Sequence, residues 1–411
     1  MLKKTGRNLL VGLDIGTHKI AAVVGEIDKE GNIKVIGVGN SAACGLKKGT
    51  VVNIDAAVTS IQHAVEDAEL MAGCEIHSVY TGIANTQVRS FNSHGVVAIE
   101  TDEVSEADIE RVVEAARAVA VPADQKILHV LPQDFIVDGQ EGIQAPVGMA
   151  GVRLEAKVHM VISAVSAAQN IVKCVRRCGL DVDDLMLKQL ASSYATLTQD
   201  EQQLGTCLID IGAGTTSIAV YVNDAIKHTA VIPVAGMHVS NDIAVALRIP
   251  IKQAEAMKVQ YAAADISLLD ADIAISAQGV GDREPRSIDP AQLTEVVVPR
   301  YEEIFQLVQK ELHKANLEHA LGSGVVLTGG AAKLPGLINV AESIFNVPVR
   351  IAAPQNISGS IDIISDPAYA TGVGLLMYGH KMSMDDYRGN VDQGGLQSFW
   401  GKIKNWLQGN F

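Results

Sequence analysis

The chain is 411 residues long, 48% apolar but only 4% aromatic, with a formal net charge of −14 at pH 7. That length exceeds one ordinary core, so two or more lobes are expected, and the acidic balance argues against a nucleic-acid-binding body. No window reaches the roughly 18 apolar residues of a membrane-crossing helix, and the five scattered cysteines fit a reducing cytoplasm better than a disulfide framework.

With so few aromatics the core must be built from Val, Ile, Ala and Leu, as in the buried parallel sheet of an α/β protein. The first residues run from basic positions straight into a strand, without the apolar region of a secretory leader. "LVGLDIGTHKIAAVVGE" (10–26) predicts two strands joined at a glycine-containing bend. "VSEADIERVVEAARAV" (104–119) predicts an amphipathic helix, with Ser105 as N-cap and Asp108 completing a capping box. "KILHVLPQDFIVDG" and "GVRLEAKVHMVISAVS" read as strands, "AAQNIVKCVRRCGL" and "LKQLASSYATLT" as helices. Cys174 and Cys178, four apart on one of these helices, are expected to pack rather than to bind metal.

"CLIDIGAGTTSIAVYVN" (207–223) then repeats the first hairpin, its Asp about 196 residues after the first, a spacing that fits a duplicated domain and not a solenoid. "SNDIAVALRI", "IKQAEAMKVQYA" and "AQLTEVVVPRYEEIFQLVQKELHKA" are helical, interrupted by the polar loop "SAQGVGDREPRSIDP". "GVVLTGGAAKLPGL" is a strand, a glycine turn and a helix start. The ordered body is expected to stop near Gly379, followed by a flexible linker over 380–395.

An Asp at a strand end, followed by a glycine turn and hydroxyl residues, can do two jobs. The carboxylate can hold Mg²⁺ through water while backbone N–H groups point at phosphate oxygens. Asp14, Gly16, Thr17 and Lys19 offer this once; Asp210, Gly212, Gly214, Thr215 and Thr216 offer it again. One such turn is weak evidence, but two at domain-scale separation read as a nucleotide clamp. In the third element, Gly329 and Gly330 let backbone approach a flat ring, and Pro335 suits the first turn of a helix.

These residues resemble the actin/Hsp70/sugar-kinase superfamily, with its phosphate-1, phosphate-2 and adenosine motifs in order. Glu255 and Lys258 in "EAMK" match the Glu-x-x-Lys helix that contacts ribose and adenine in several members, and Lys333 lies in the adenosine motif. "LLVGLDIGTHKIAAVVGE", "HVLPQDFIVDGQEGIQAPVGMAGVRLEAKVHMV", "LASSYATLT", "EVVVPRYEEIF" and "VVLTGGAAKLPGL" together look like the FtsA family of actin-like bacterial cell-division proteins. That resemblance implies a duplicated, ribonuclease H-like two-lobed fold. Residues 1–82 and 163–198 would form the core of lobe 1, with a small α+β domain, 1C, inserted at 83–162. Residues 199–227 and 306–379 would form the core of lobe 2, and 228–305 its outer part. It further implies ATP (or ADP) with Mg²⁺ as cofactors, Asp14 and Asp210 as its carboxylates, and self-assembly into actin-like filaments. Partners would be the C-terminal peptide of FtsZ, near Arg283, Arg286 and Arg300, and downstream division proteins on 1C. The place would be the cytoplasmic face of the inner membrane at the division site.

Actin orients its attacking water with a glutamine on the helix before phosphate-2. Here Lys188 falls near that position with Gln189 beside it, so no water-positioning residue is assigned. The expectation is at most a slow ATPase in which Asp210 could serve as base, nucleotide acting mainly on conformation and assembly. His18 is expected as an exposed turn residue. The alternatives are a small-molecule kinase or a pilus-assembly actin homologue of the same fold.

The chain ends in "LQSFWGKIKNWLQGNF", which holds both tryptophans. At 100° per residue, Leu396, Phe399, Trp400, Ile403, Trp406, Leu407 and Phe411 fall within an arc of about 140°, flanked by Lys402 and Lys404. A helix about 24 Å long is too short to span a hydrocarbon core of ~30 Å. The pattern predicts an in-plane amphipathic helix on anionic lipid.

Overall fold

The computed structural model describes residues 8–269, 275–279, 285–360 and 365–391. The chain opens with β1 (Asn8–Ile15), β2 (Lys19–Ile27) and β3 (Ile33–Ala42), the short pair β4 (Leu46–Lys47) and β5 (Thr50–Val51), α1 (Ile54–Ala72) and β6 (Ser78–Ile83). An excursion follows: β7 (Arg89–Ala98), α2 (Glu106–Arg117), β8 (Gln125–Val137), β9 (Gln140–Ile143) and β10 (Arg153–Ala164). The first half closes with α3 (Val165–Arg177), β11 (Asp181–Leu187) and α4 (Lys188–Thr196). The second half contains α5 (Gln199–Leu204), β12 (Thr206–Ile211), β13 (Thr216–Val222), β14 (Ala225–Ile232), α6 (Gly236–Leu247) and α7 (Ile251–Tyr261). Then come β15 (Ile275–Ala277), β16 (Arg286–Ile288), α8 (Pro290–Lys314), β17 (Gly324–Thr328), α9 (Leu337–Phe345), β18 (Val349–Ile351), β19 (Ser358–Gly359) and a last helix, α10 (Ala370–Val391).

Two sheets carry the duplication. In the six-stranded sheet, ordered β11-β6-β1-β2-β3-β19, β1 is antiparallel to β2 and parallel to β6. In the five-stranded sheet, ordered β14-β13-β12-β17-β18, β12 is antiparallel to β13 and parallel to β17. Asp14 lies opposite Ala21 and Asp210 opposite Ser217, so each hairpin ends its first strand on the aspartate side of the turn. The near-continuous apolar runs "IAAVV" and "CLI" are buried because helices cover both faces of each sheet. One large apolar cluster gathers around Leu13, Ile61 and Leu187 of lobe 1 and continues to Leu208, Ala219 and Val326 of lobe 2, and a second gathers around Ile209, Phe305 and Leu337.

The excursion forms a four-stranded sheet, β7-β10-β8-β9, packed against α2 around Ile109, Val112 and Leu154. The capping box at the start of α2 forms as expected, Ser105 and Asp108 bonding each other's backbone N–H. Burial would raise the Asp108 carboxyl, but hydrogen bonds from Ser105 and Arg111 hold it down at about 2. This small domain also reaches lobe 2. β14 is the edge strand of its sheet, and side chains of the excursion bond its carbonyls in place of another strand. Ser90 Oγ donates to Thr229 O at 2.7 Å and Gln133 Nε2 to Ile226 O at 2.6 Å. Just before the strand, Gln144 Nε2 donates to Asn223 O at 2.9 Å.

α10 beds on lobe 1 through buried Tyr378, whose ring meets Tyr80 edge-on at 5.9 Å and whose hydroxyl donates to Asp184. It runs on to Val391, through most of the stretch expected as a flexible linker over 380–395. The glycine and polar composition that suggested a linker is overridden by a helix already nucleated on the lobe 1 core. No described helix is long and apolar enough to cross a membrane. The predicted terminal helix, from Leu396 through Phe399, Trp400, Lys402, Ile403, Lys404, Trp406 and Leu407 to Phe411, lies outside the described residues.

Candidate functional site: a cleft between two matched turns

The two hairpin turns face each other. Gly16 N–H donates to Lys19 O at 3.0 Å, closing the first, and Gly212 N–H to Thr215 O at 3.1 Å, closing the second. They pack so closely that a Cβ on Gly214 would sit 2.5 Å from Thr17 Oγ1. The Thr17 oxygen in turn accepts from Gly49 N–H at 3.0 Å. A cavity of about 530 Å³ opens beside this contact. Asp14, Gly16, Thr17 and Lys19 line it from lobe 1; Asp210, Gly212, Gly214, Thr215, Glu255, Lys258, Gly329, Gly330 and Lys333 line it from lobe 2. Thr216 does not: it is fully buried and its hydroxyl donates to Val234 O at 2.8 Å. Strand alternation turns Thr216 away and brings Ser217, opposite Asp210, to the cavity wall instead.

Both carboxylates are held. Lys188, the first residue of α4, places Nζ 2.6 Å from Asp14 Oδ1. Asp210 Oδ2 accepts from Ser192 Oγ at 2.6 Å and from Thr371 Oγ1 at 3.2 Å. Burial pushes the Asp210 carboxyl up and the Asp14 charge adds to this, while Ser192, Lys188 and Thr371 oppose it. Lys19 stands over the Tyr369 ring, 3.5 Å from its centroid, and burial lowers its pKa against the pull of Asp14 and Asp366.

At the other end of the cavity Gly329 has φ +90°, and a Cβ there would meet Asp210 Oδ1 at 2.4 Å, so the strand end tolerates only glycine. Lys258 Nζ bonds Glu255 Oε2 at 2.8 Å, Ser240 Oγ at 2.9 Å and Gly236 O at 3.1 Å. Burial opposes ionisation of Glu255, but Lys258 and Ser240 hold its pKa below the usual range. Lys333 pairs with Asp366 at 2.8 Å. Exposed His18 also borders the cavity.

Sequence reasoning placed neither Ser192, Gly236, Tyr301 nor Thr371 here, and it met Lys188 only as the occupant of a missing glutamine's position. No local motif marks them, because they arrive from four separate elements. Of the three arginines expected at a partner site, Arg300 does not line this cleft. Arg300 is clasped by Asp242, at 2.6 and 3.0 Å, and pairs with Glu303. Arg286 lies on β16, paired with Ala277 of β15, its side chain outside the described residues, as is Arg283 altogether.

Duplicated sheets whose matching turns close on one cleft define an actin-like protein. Among solved structures, the PilM–PilN type IV pilus biogenesis complex superposes with a TM-score of 0.65 at 18% identity, over 90% of this chain and 98% of that one. MreB5 of Spiroplasma citri bound to AMPPNP gives 0.56 at 15% identity, over 93% and 98%. These likenesses speak for the fold. A family model described as "Cell division protein FtsA" matches residues 207–374, and one described as "SHS2 domain inserted in FTSA" matches 85–162. The cell division protein FtsA of Pseudomonas aeruginosa is 53% identical over 409 residues, 98% of each chain. That of Escherichia coli K12 is 43% identical over 421 aligned positions, 100% of each. The chain belongs to the FtsA family of cell-division proteins.

Proposed function

We propose that this chain is an ATP-binding, self-assembling adaptor of the division machinery. It would hold Mg²⁺ and ATP or ADP in the cleft, take the C-terminal peptide of FtsZ on outer lobe 2, and tie the division ring to the cytoplasmic face of the inner membrane through residues 396–411. Later division proteins would dock on the inserted domain at 83–162. The observation that carries this reading is the cleft itself, in which two phosphate-type turns from different lobes line one cavity.

The residues present suit the cofactors. Among the described residues no group of three or more His, Cys, Asp or Glu side chains could hold a metal by itself. A divalent ion would therefore rest on Asp14 and Asp210 through water, with nucleotide oxygens completing its shell. Bound Mg²⁺ would supply charge to offset the phosphates. The backbone N–H groups of both turns and the Lys19 ammonium would orient the phosphates, and Glu255 with Lys258 would face the ribose and adenine. Because the ligand touches both lobes, its main effect is to fix their closure, with hydrolysis slow. The pilus homologue matches only in fold, whereas the division relatives match along the whole sequence. A small-molecule kinase gives no use for the amphipathic pattern of residues 396–411.

The test is co-sedimentation with vesicles containing anionic lipid, using the full chain and one ending at Gly395, each with and without Mg·ATP. The full chain should pellet, more so with Mg·ATP as assembly adds many weak anchors together; the shortened chain should stay in solution. Equal pelleting of both chains sinks the tether, and equal pelleting with and without Mg·ATP sinks the link between nucleotide and assembly.

A further inference from the structure

Lys188 sits where the two lobes' acidic groups converge. Its Nζ lies 2.6 Å from Asp14 Oδ1 and donates to Ile15 O at 2.7 Å. The side chain is only 13% exposed, yet it lines the cavity. Its stem is built in: a Cβ on Gly82 would stand 2.7 Å from Lys188 Cγ, so the glycine leaves the room through which the chain reaches the cleft. The hydrogen bond to Ile15 uses one of the three ammonium donors, and the contact with Asp14 is an ion pair. Asp14 is paired to Lys188, and Asp210 Oδ2 takes the hydroxyls of Ser192 and Thr371.

We propose that Lys188 is the specificity-determining residue of this cleft, reading the terminal phosphate of a nucleoside triphosphate and making the site hold that phosphate rather than transfer it to water. The inference rests on the ATP-binding reading above and assigns one residue within it. An ammonium held at the cavity wall favours the extra negative charge of a triphosphate over a diphosphate. Transfer of the terminal phosphoryl group to water breaks its bond to the bridging oxygen, and the attacking water must hand its proton to an acceptor. An ammonium has no lone pair to receive it. At the place where a side-chain carbonyl could orient that water, this chain presents only a donor.

Equilibrium binding of Mg·ATP, Mg·AMPPNP and Mg·ADP to the full chain tests this, together with Lys188→Met, which keeps an unbranched stem over Gly82, and Lys188→Gln, which adds an acceptor. The natural chain should prefer both triphosphates to ADP by about tenfold or more. Lys188→Met should bring that ratio near one, and Lys188→Gln should raise the single-turnover rate of ATP hydrolysis by about tenfold or more. A triphosphate-to-diphosphate ratio unchanged in Lys188→Met overturns the assignment. So does equal loss of all three ligands, which marks a purely structural ion pair with Asp14. An unchanged hydrolysis rate in Lys188→Gln overturns the claim that the lysine withholds an acceptor. If the natural chain binds none of the three, the ATP reading of the cleft falls first, and this inference with it.

Discussion

Asp210 lies buried at the cleft at some expense to the fold. Burial and the facing Asp14 push its carboxyl pKa up, so the folded chain binds a proton more readily than the unfolded chain does. A raised carboxyl favours the folded state at low pH, and that advantage is lost as pH rises through the folded value. Asp210→Asn should therefore melt higher than the natural chain at pH 7 without ligand, by roughly 1–3 °C. The gain should shrink as the pH is lowered, while stabilisation by Mg·ATP is largely lost. Melting curves across pH check this, and a lower melting temperature for the ligand-free variant would refute it. The aspartates themselves were legible from the sequence, because Asp-Ile-Gly recurs at domain spacing. Ser192 and Thr371, which hold Asp210, were not: 179 positions separate them, and only folding brings their hydroxyls to 2.9 Å. The inward turn of Thr216 was not legible either, since the strand register that sets it comes only with the folded hairpin.

At the scale of elements, the inserted domain meets lobe 2 through a polar seam along β14. His159, 1% exposed, has Nδ1 2.7 Å from Asn92 Oδ1 and Nε2 3.0 Å from Thr229 Oγ1. The carbonyl-type oxygen at Nδ1 requires a proton there, so Nε2 accepts from the threonine and the ring is neutral. Burial, with His228 and His129 adding to it, holds its pKa down to about 3. A depressed histidine costs stability as pH falls, because the unfolded chain protonates near 6.5 and the folded chain does not until about 3. Stability should thus decline from about pH 6.5 downward, by up to ~1.4 kcal/mol per pH unit from this group. His159→Gln should flatten that slope between pH 6 and 4 in denaturant melts; an unaltered slope refutes the assignment. The α2 helix and its capping box were legible locally, since cap and partner lie three residues apart. The seam was not, because Ser90, Gln133 and His159 sit on β7, β8 and β10 and their partners on a strand beyond the next domain's first hairpin.

For the molecule as a whole, the cavity belongs to neither lobe alone. A ligand that needs both turns can bind only when both lobes are folded, so it should stabilise them together. At a hundred times its dissociation constant, Mg·ATP should add about 2.7 kcal/mol to unfolding. Calorimetry should show the lobes' transitions moving up in step; an upward shift confined to part of the chain would show that one lobe suffices. The duplication, the fold class and the cleft were visible in the sequence because each hairpin carries its own repeated signature. The extent of α10 was not, since "HKMSMDDYRGNV" taken alone has the composition of a linker and gains its helix from the turns before it.

That helix changes what a tail can convey. α10 starts beside Thr371, whose hydroxyl touches Asp210, and its 22 residues make a rod about 33 Å long ending at Val391. A slack cord tells a surface only that its cargo is near. A stiff mast, seated on lobe 1 by Tyr378, also carries a bearing: the direction in which residue 391 points is the direction in which lobe 1 faces.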